Sequence, residues 1–227
     1  MAIAAVIFDW GGTLTPWHAI DADAAWATLT DDPQAVKALR AAEDELWTRS
    51  RDDHRSGTLD ELLRSAGADP DTEALARLHG WWDQHTFTDP EAAPMLTALR
   101  GRGLRIGILS NTIWTRERHE AIFARDGLSS LIDGAVYTSE IEWTKPHPLA
   151  FRAALDAVGV LDPGDAVFVG DRLFDDIYGA ASAGMRTIHV PHSDIPPEQV
   201  GHTLGRPDAV VRSLREIPDV VAGWASA

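Results

Sequence analysis

Val6-Ile7-Phe8-Asp9-Trp10-Gly11-Gly12-Thr13-Leu14-Thr15 reads as a buried strand that ends in a carboxylate and turns at once through two glycines. Residues 3–8 are continuously apolar and partly β-branched, as expected of a strand covered on both faces. An aspartate at such a tip, over a turn that exposes backbone N–H groups, can attack phosphorus or carbon and has donors ready for the developing charge. Chemistry would favour a second acid two places on, yet position 11 has no side chain at all.

Beyond the turn, strand signals vanish and residues 16–89 read as helical. Asp32-Pro33 opens one helix, with Val36, Leu39 and Leu46 roughly on one face and Trp47 beside it. Thr58-Leu59-Asp60-Glu61 has the form of a capping box. Asp69-Pro70 reads as an N-cap with proline at the first helical position, opening a helix that carries Leu75, Leu78, Trp81 and Trp82. After Pro90 the pattern alternates. Strands are expected at 104–109, 134–138, 166–169, 186–190 and 209–211, and helices at 94–100, 115–124, 148–158 and 176–183. This alternation predicts an α/β fold with a doubly wound parallel sheet and helices on both faces. The expected division is a core of residues 1–15 and 90–227 with an all-helical insertion at 16–89.

Ligands bind such sheets at the carboxyl ends of the strands. Asp9, Ser110 and Asp171 fall at predicted strand tips, and Lys145 in the loop after another strand. Each alone has a plain alternative: Asp9, Ser110, Asn111 and the acids Asp171, Asp175 and Asp176 as caps, Lys145 as a solvated cation. Those alternatives do not explain why nucleophile, hydroxyl, cation and acids recur at successive strand ends. The set fits phosphoryl transfer, with Asp9 attacking phosphorus to form an aspartyl-phosphate. Asp171 and Asp9 would hold Mg²⁺, which lets an anionic carboxylate approach an anionic phosphate. Ser110 and the N–H groups after Asp9 would bind the equatorial oxygens, making Gly12, Thr13 and Asn111 candidate substrate contacts. Lys145 would neutralise remaining charge, and Asp176, with Asp175, would support the metal or orient Lys145.

Composition agrees with a soluble enzyme. The chain has 227 residues, enough for one sizeable domain or a domain with an insertion. Its net charge of -15 argues against nucleic acid or an anionic membrane as a main partner. Only two lysines occur, Lys37 and Lys145, so any cation at a phosphate site is locally placed. The absence of cysteine excludes disulfides, thiolate catalysis and Cys-ligated zinc. No apolar run approaches a membrane span, and the short apolar start lacks a basic flank, so a cytoplasmic protein is expected.

Together these motifs resemble the haloacid dehalogenase (HAD) superfamily, across roughly residues 1–15 and 90–190. Asp9 with Thr13 looks like its first motif, Ser110 like its second, and Lys145 in Lys-Pro-His-Pro like its third. Gly170-Asp171 with Asp176-Ile177-Tyr178-Gly179-Ala180 looks like the fourth. The resemblance implies a Rossmann-like core, Mg²⁺ as cofactor, a small phosphorylated substrate, and the insertion as a helical cap that closes over the mouth. It also implies a metal contact from the backbone carbonyl of Gly11.

Family phosphatases usually carry Asp at that position, where it protonates the leaving oxygen and then deprotonates water, help worth about 10²–10⁴-fold. The leading expectation is thus a Mg²⁺-dependent phosphohydrolase whose acid/base is missing or moved, with His18, His54 and His85 as candidates by type. Three alternatives remain. The dehalogenase branch lacks this acid but also lacks the fourth-motif acids present here. The phosphonate-cleaving branch needs a cap lysine, and Lys37 reads as a surface residue. A phosphate-binding module without turnover would have no need of an intact Asp9.

Eight of the nine tryptophans cluster near these motifs and in the insertion, and Trp224 lies in the tail. Trp10, Trp114 and Trp143 adjoin Asp9, Ser110 and Lys145, and Trp114 is a candidate substrate contact in an aromatic-walled mouth. Core and cap packing is the competing reading. Exposed tryptophans in the insertion would favour a homodimer.

Overall fold

Six parallel strands run through the centre of the molecule, for which a computed structural model describes residues 3–17, 20–191 and 204–225. They are β1 (Ala5–Phe8), β2 (Arg105–Ser110), β3 (Gly134–Tyr137), β4 (Ala166–Gly170), β5 (Arg186–His189) and β6 (Ala209–Val210), in the order β3-β2-β1-β4-β5-β6. The chain builds outward from β1 to β3, then returns to the other side of β1 for β4. That reversal beside β1 is the switch point at which α/β sheets bind ligands. Phe8 lies opposite Ile108 and Val169, so Asp9, Ser110 and Asp171 emerge within two residues of one level.

Alternate residues of β1 enter different cores. Val6 and Phe8 join one apolar layer and Ala5 and Ile7 the other, all four fully buried. The first layer is covered by α5 (Ala92–Gly101), α6 (Arg116–Arg125) and α9 (Ile217–Ala225) through Met95, Leu96, Ile122 and Ile217. The second is covered by α7 (Pro148–Ala157) and α8 (Gly179–Ser182) through Phe151, Leu155 and Ala180. At roughly 1.5–3 kcal/mol for each large apolar side chain buried, these layers outweigh any single polar contact and set the strand tips rigidly.

Between β1 and α5 lie four helices: α1 (Ala22–Trp26), α2 (Pro33–Asp53), α3 (Leu59–Ser65) and α4 (Thr72–Asp83). They share an apolar cluster of Trp26, Leu39, Leu46, Leu62 and Leu78, joined by Ile113 from the loop after β2. Asp32 caps α2 by accepting the Gln34 N–H at 2.9 Å, and Thr58 caps α3 by accepting that of Glu61 at 3.1 Å. The start of α4 differs from expectation. Asp71 rather than Asp69 is the N-cap, because its Oδ1 accepts the Ala74 N–H at 2.8 Å and Pro70 stands outside the helix. Where the chain leaves these helices, the Asp89 N–H donates to the Leu14 carbonyl at 2.8 Å, so entry and exit lie side by side.

The helix expected from Asp176 begins earlier, as a wide π-helical turn over Leu173–Tyr178 that passes into α8. Asp176 and Ile177 N–H groups both donate to the Arg172 carbonyl, at 3.2 and 3.1 Å. The widened turn carries Asp176 back onto the tip of β4; such turns recur at functional sites. The last strand stops at Val210, one residue short of expectation. No helix among the described residues is long and apolar enough to cross a membrane.

Candidate active site

Asp9 is the centre of a buried ionic cluster at the carboxyl edge of the sheet. Its backbone N–H still donates to the Val169 carbonyl at 2.9 Å, so the carboxylate sits on rigid strand geometry. Lys145 Nζ donates to Asp9 Oδ1 at 2.6 Å and to Asp176 Oδ1 at 2.7 Å. The Thr13 hydroxyl donates to the other Asp9 oxygen at 3.1 Å. Asp176 Oδ2 accepts the Arg172 N–H at 2.9 Å. Lys145 is thus held between two carboxylates, one of which is anchored to the turn after β4.

Two glycines make this approach feasible. A Cβ on Gly170 would meet the Asp176 carboxyl carbon at 2.3 Å. A Cβ on Gly12, whose φ is +95°, would meet Asp171 Oδ2 at 2.2 Å and Trp17 Cδ1 at 2.5 Å. Gly11 is different: its Cβ would find no atom within 4 Å, so packing does not demand glycine there.

Asp171 shows what the cluster lacks. Both its carboxylate oxygens are buried with no hydrogen-bond partner, and Arg172 Nε at 3.7 Å from Oδ2 is too far to supply one. Buried polar groups are normally satisfied, and an unpaired buried carboxylate is costly. Oxygens of Asp9, Asp171 and Asp176 lie within 4.8 Å of one another. Three buried carboxylates against one buried ammonium leave two negative charges unbalanced, which suits a hard dication with oxygen ligands. Burial pushes the Asp9 carboxyl up to about 6 against the opposing pull of Lys145. It pushes Asp171 well above the ordinary carboxylate range, with the charges of Asp9 and Asp176 adding to the effect. Asp175 is raised to about 6, by burial and then by Asp176. Burial alone would lower Lys145, but Asp176 and Asp9 more than compensate and hold it charged.

Asp9, Lys145, Asp171 and Asp176 come together as the sequence predicted. Ser110 ends β2, buried beside them. Other candidates take different tasks. The Gly12 N–H is spent on the Thr15 carbonyl at 2.7 Å and that of Thr13 on the Trp10 carbonyl at 3.3 Å, which closes the turn. The Thr13 hydroxyl orients Asp9. Asn111 Oδ1 accepts the Lys145 N–H at 2.8 Å, and Nδ2 donates to the Lys145 carbonyl at 3.1 Å, so this side chain positions the lysine loop.

The tryptophans pack. Trp114 lies in the seam between α4 and the core, against Trp82 at 5.3 Å, Trp10 at 6.3 Å and the Arg118 guanidinium at 5.1 Å. Trp143 is sandwiched between His147, stacked at 3.9 Å, and the Arg55 guanidinium at 4.2 Å. Trp17 is the tryptophan beside the carboxylates, with Arg172 5.7 Å from its ring centre. Sequence reasoning missed that pair, because its motif spacing did not point to residue 17. The tryptophans of the insertion are buried or half-buried, Trp26 fully and Trp17, Trp47, Trp81 and Trp82 in part.

Of the candidate proton donors, His18 lies outside the described residues. His85 packs on Trp81 at 4.5 Å in the tryptophan cluster. His54 lies at the end of α2 with its carbonyl accepting the Thr144 N–H at 2.9 Å, next to Lys145. Lys37 is exposed on α2.

Fold and site together define an α/β enzyme whose chemistry lies at the carboxyl edge of a parallel sheet. The sequence matches the haloacid dehalogenase-like hydrolase family over residues 3–184, and the chain belongs to that family. A Methanopyrus kandleri protein named glyceraldehyde 3-phosphate phosphatase is 29% identical over 229 residues, spanning 96% of this chain and 97% of its own length. A HAD phosphatase from Thermococcus onnurineus superposes with a TM-score of 0.68 at 23% identity, over 97% of this chain and 99% of its own. L-2-haloacid dehalogenase from Xanthobacter autotrophicus superposes with 0.67 at 23% identity, with the same coverage of each chain. These two likenesses are of fold.

Proposed function

We propose that the chain is a Mg²⁺-dependent phosphohydrolase acting on a small phosphorylated compound through an aspartyl-phosphate on Asp9. The observation that carries this reading is Asp171: a buried carboxylate with two unpartnered oxygens beside a lysine-held nucleophile. A dehalogenase attacking neutral carbon has no use for that excess of negative charge. The named activity of the Methanopyrus kandleri relative points the same way.

Asp9, Asp171 and Asp176 would hold the metal, and Asp176 would also fix Lys145. The backbone carbonyl of Gly11 would complete the protein's contribution. The metal would supply charge neutralisation between carboxylate and phosphate. Thr13 and Lys145 aim the Asp9 carboxylate. Lys145, Ser110 and the N–H groups of Trp10 and Gly11, which have no hydrogen-bond partner among the described residues, receive the phosphoryl oxygens. Residues 16–89 form the cap that selects the leaving group, with Trp17 and Arg172 lining the mouth near Asp171. Gly11 has no proton to move, and the exposed Lys37 offers no buried amine for phosphonate cleavage.

The test is phosphate release from a panel of small esters with Mg²⁺, for the wild type and Asp9→Asn. Release that requires both Asp9 and metal supports the reading. Halide release from a 2-haloacid without metal would overturn it. A BeF₃⁻ adduct on Asp9 with no ester turned over would instead indicate a phosphate-binding module.

A further inference from the structure

The lysine loop, residues 141–144 between β3 and α7, is paired along its length with the cap. α2 ends on His54, whose left-handed backbone is the helix's C-cap and turns the chain back over this loop. Arg55 and Trp143 then form an antiparallel bridge. Its flanking hydrogen bonds run from the Ser56 N–H to the Glu142 carbonyl at 3.1 Å and from the Thr144 N–H to the His54 carbonyl at 2.9 Å. The Ser56 hydroxyl donates to the Ile141 carbonyl, Arg55 pairs with Glu142, and the Arg55 guanidinium lies 4.2 Å from the Trp143 ring centre. Deeper in the junction, the buried Ser50 hydroxyl donates to Thr144 Oγ1 at 3.1 Å, and the Thr144 hydroxyl faces the Ser50 carbonyl at 3.4 Å. Thr144 is the residue before Lys145.

We infer that this junction aims Lys145, with Thr144 and Ser50 as positioning residues. The inference rests on the phosphohydrolase reading above for its kinetic consequence and stands apart from it for its structural one. Asn111 makes two hydrogen bonds, both to the Lys145 backbone, and two points leave the segment free to pivot about the line between them. The groups that fix this pivot include the N–H and hydroxyl of Thr144, and the cap holds both. Lys145 Nζ lies at the end of a four-carbon chain, so a small pivot carries it off its contacts at 2.6 Å with Asp9 and 2.7 Å with Asp176. Undocking of the cap at residues 50–56 and loss of aim at Lys145 are therefore one event. Phosphoryl transfer is confined to the docked cap, which keeps the aimed nucleophile apart from open solvent.

Lys37 and Lys145 are the only lysines in the chain, so amine acetylation read by peptide mass spectrometry has one exposed reference and one buried probe. Thr144→Val removes the hydroxyl and keeps the shape, Ser50→Ala cuts the same contact from the cap side, and Thr144→Ser restores it. Asp32→Ala removes the N-cap at the far end of α2 and weakens that helix without touching the junction. Acetylation of Lys145 relative to Lys37 should rise about fivefold or more in Thr144→Val and Ser50→Ala. It should stay near wild type in Thr144→Ser and Asp32→Ala. With p-nitrophenyl phosphate and Mg²⁺, kcat should fall about tenfold or more in the first two variants while KM changes by less than about threefold. Unchanged labelling of Lys145, an equal rise in Asp32→Ala, no recovery in Thr144→Ser, or a rise in labelling without the fall in kcat would overturn the inference. A wild type inert on every phosphate ester would remove the phosphohydrolase reading, and the labelling would then decide the structural claim alone.

Discussion

Asn111 grips the backbone of Lys145 at both ends, accepting its N–H at 2.8 Å and donating to its carbonyl at 3.1 Å. The loop after β2 therefore sets the loop that follows β3, and Lys145 reaches Asp9 from a clamped backbone. Asn111→Ala removes both partners. It should cost about 1–3 kcal/mol of stability, since it leaves two partly buried backbone groups unsatisfied. It should also lower kcat more than it raises KM, because the lysine loses aim rather than charge. Urea unfolding alongside steady-state kinetics checks this; unchanged kcat would leave the clamp without a catalytic role.

Metal and pH should act on the same carboxylates. Burial raises Asp9 from 3.8 to about 6 and Asp171 well above its ordinary value, so the metal-free folded protein holds protons that the unfolded chain releases. That contribution to stability is complete below about pH 4 and is lost as pH rises through about 6 and beyond. Mg²⁺ favours the charged carboxylates and opposes the loss. The increase in Tm on replacing EDTA with Mg²⁺ should therefore be larger near pH 8 than near pH 5. Equal increments would remove Asp9 and Asp171 from the metal site.

Position 11 is open for a side chain. With no atom within 4 Å of its Cβ, Gly11→Asp should fold with a stability change within about 1 kcal/mol. The added carboxylate should raise kcat for alkyl phosphates and leave aryl phosphates nearly unchanged. A variant that folds and gains nothing would show that proton transfer does not limit turnover.

Gly12 is closed in the same sense. Gly12→Ala places a methyl group 2.2 Å from Asp171 Oδ2 on a backbone with φ +95°. Loss of Mg²⁺-dependent stabilisation, with at least 1 kcal/mol of lost stability, is expected from strain and displaced carboxylate together. Calorimetric titration with Mg²⁺ reads the first effect and thermal unfolding the second.

Trp114 and Trp143 pack with their rings against other side chains, so neither should discriminate between substrates. Alanine at either site should change KM for aromatic and alkyl phosphates by the same factor. A selective rise for aromatic esters at Trp114 would reinstate it in the mouth.

The parallel sheet and its strand tips were legible because strands covered on both faces spell continuous apolar runs, as residues 3–8 and 166–169 do. The cluster was legible for a related reason: residues at successive strand ends must converge on one edge. Less visible were contacts decided by packing between distant segments. Asn111 and Trp114 follow Ser110 closely in sequence and so read as substrate contacts. The first instead turns to Lys145, and the second is drawn into the seam with α4. The N-cap at Asp71 rather than Asp69 turned on which carboxylate reached a free N–H, which two nearby aspartates leave undetermined.

Sequence alone determined the α/β core, the place of Asp9 at its carboxyl edge, and the absence of a side-chain acid at position 11. These follow from local pattern and residue identity, which do not depend on distant contacts. Tertiary structure decided that Asp176 anchors Lys145 and that Asp171 is left with unpartnered oxygens. It also decided that Trp17, and not Trp114 or Trp143, stands beside the carboxylates. Each depends on how segments tens of residues apart approach one another. A few ångströms there decide whether a buried charge is paired, and neither periodicity nor motif spacing records that distance.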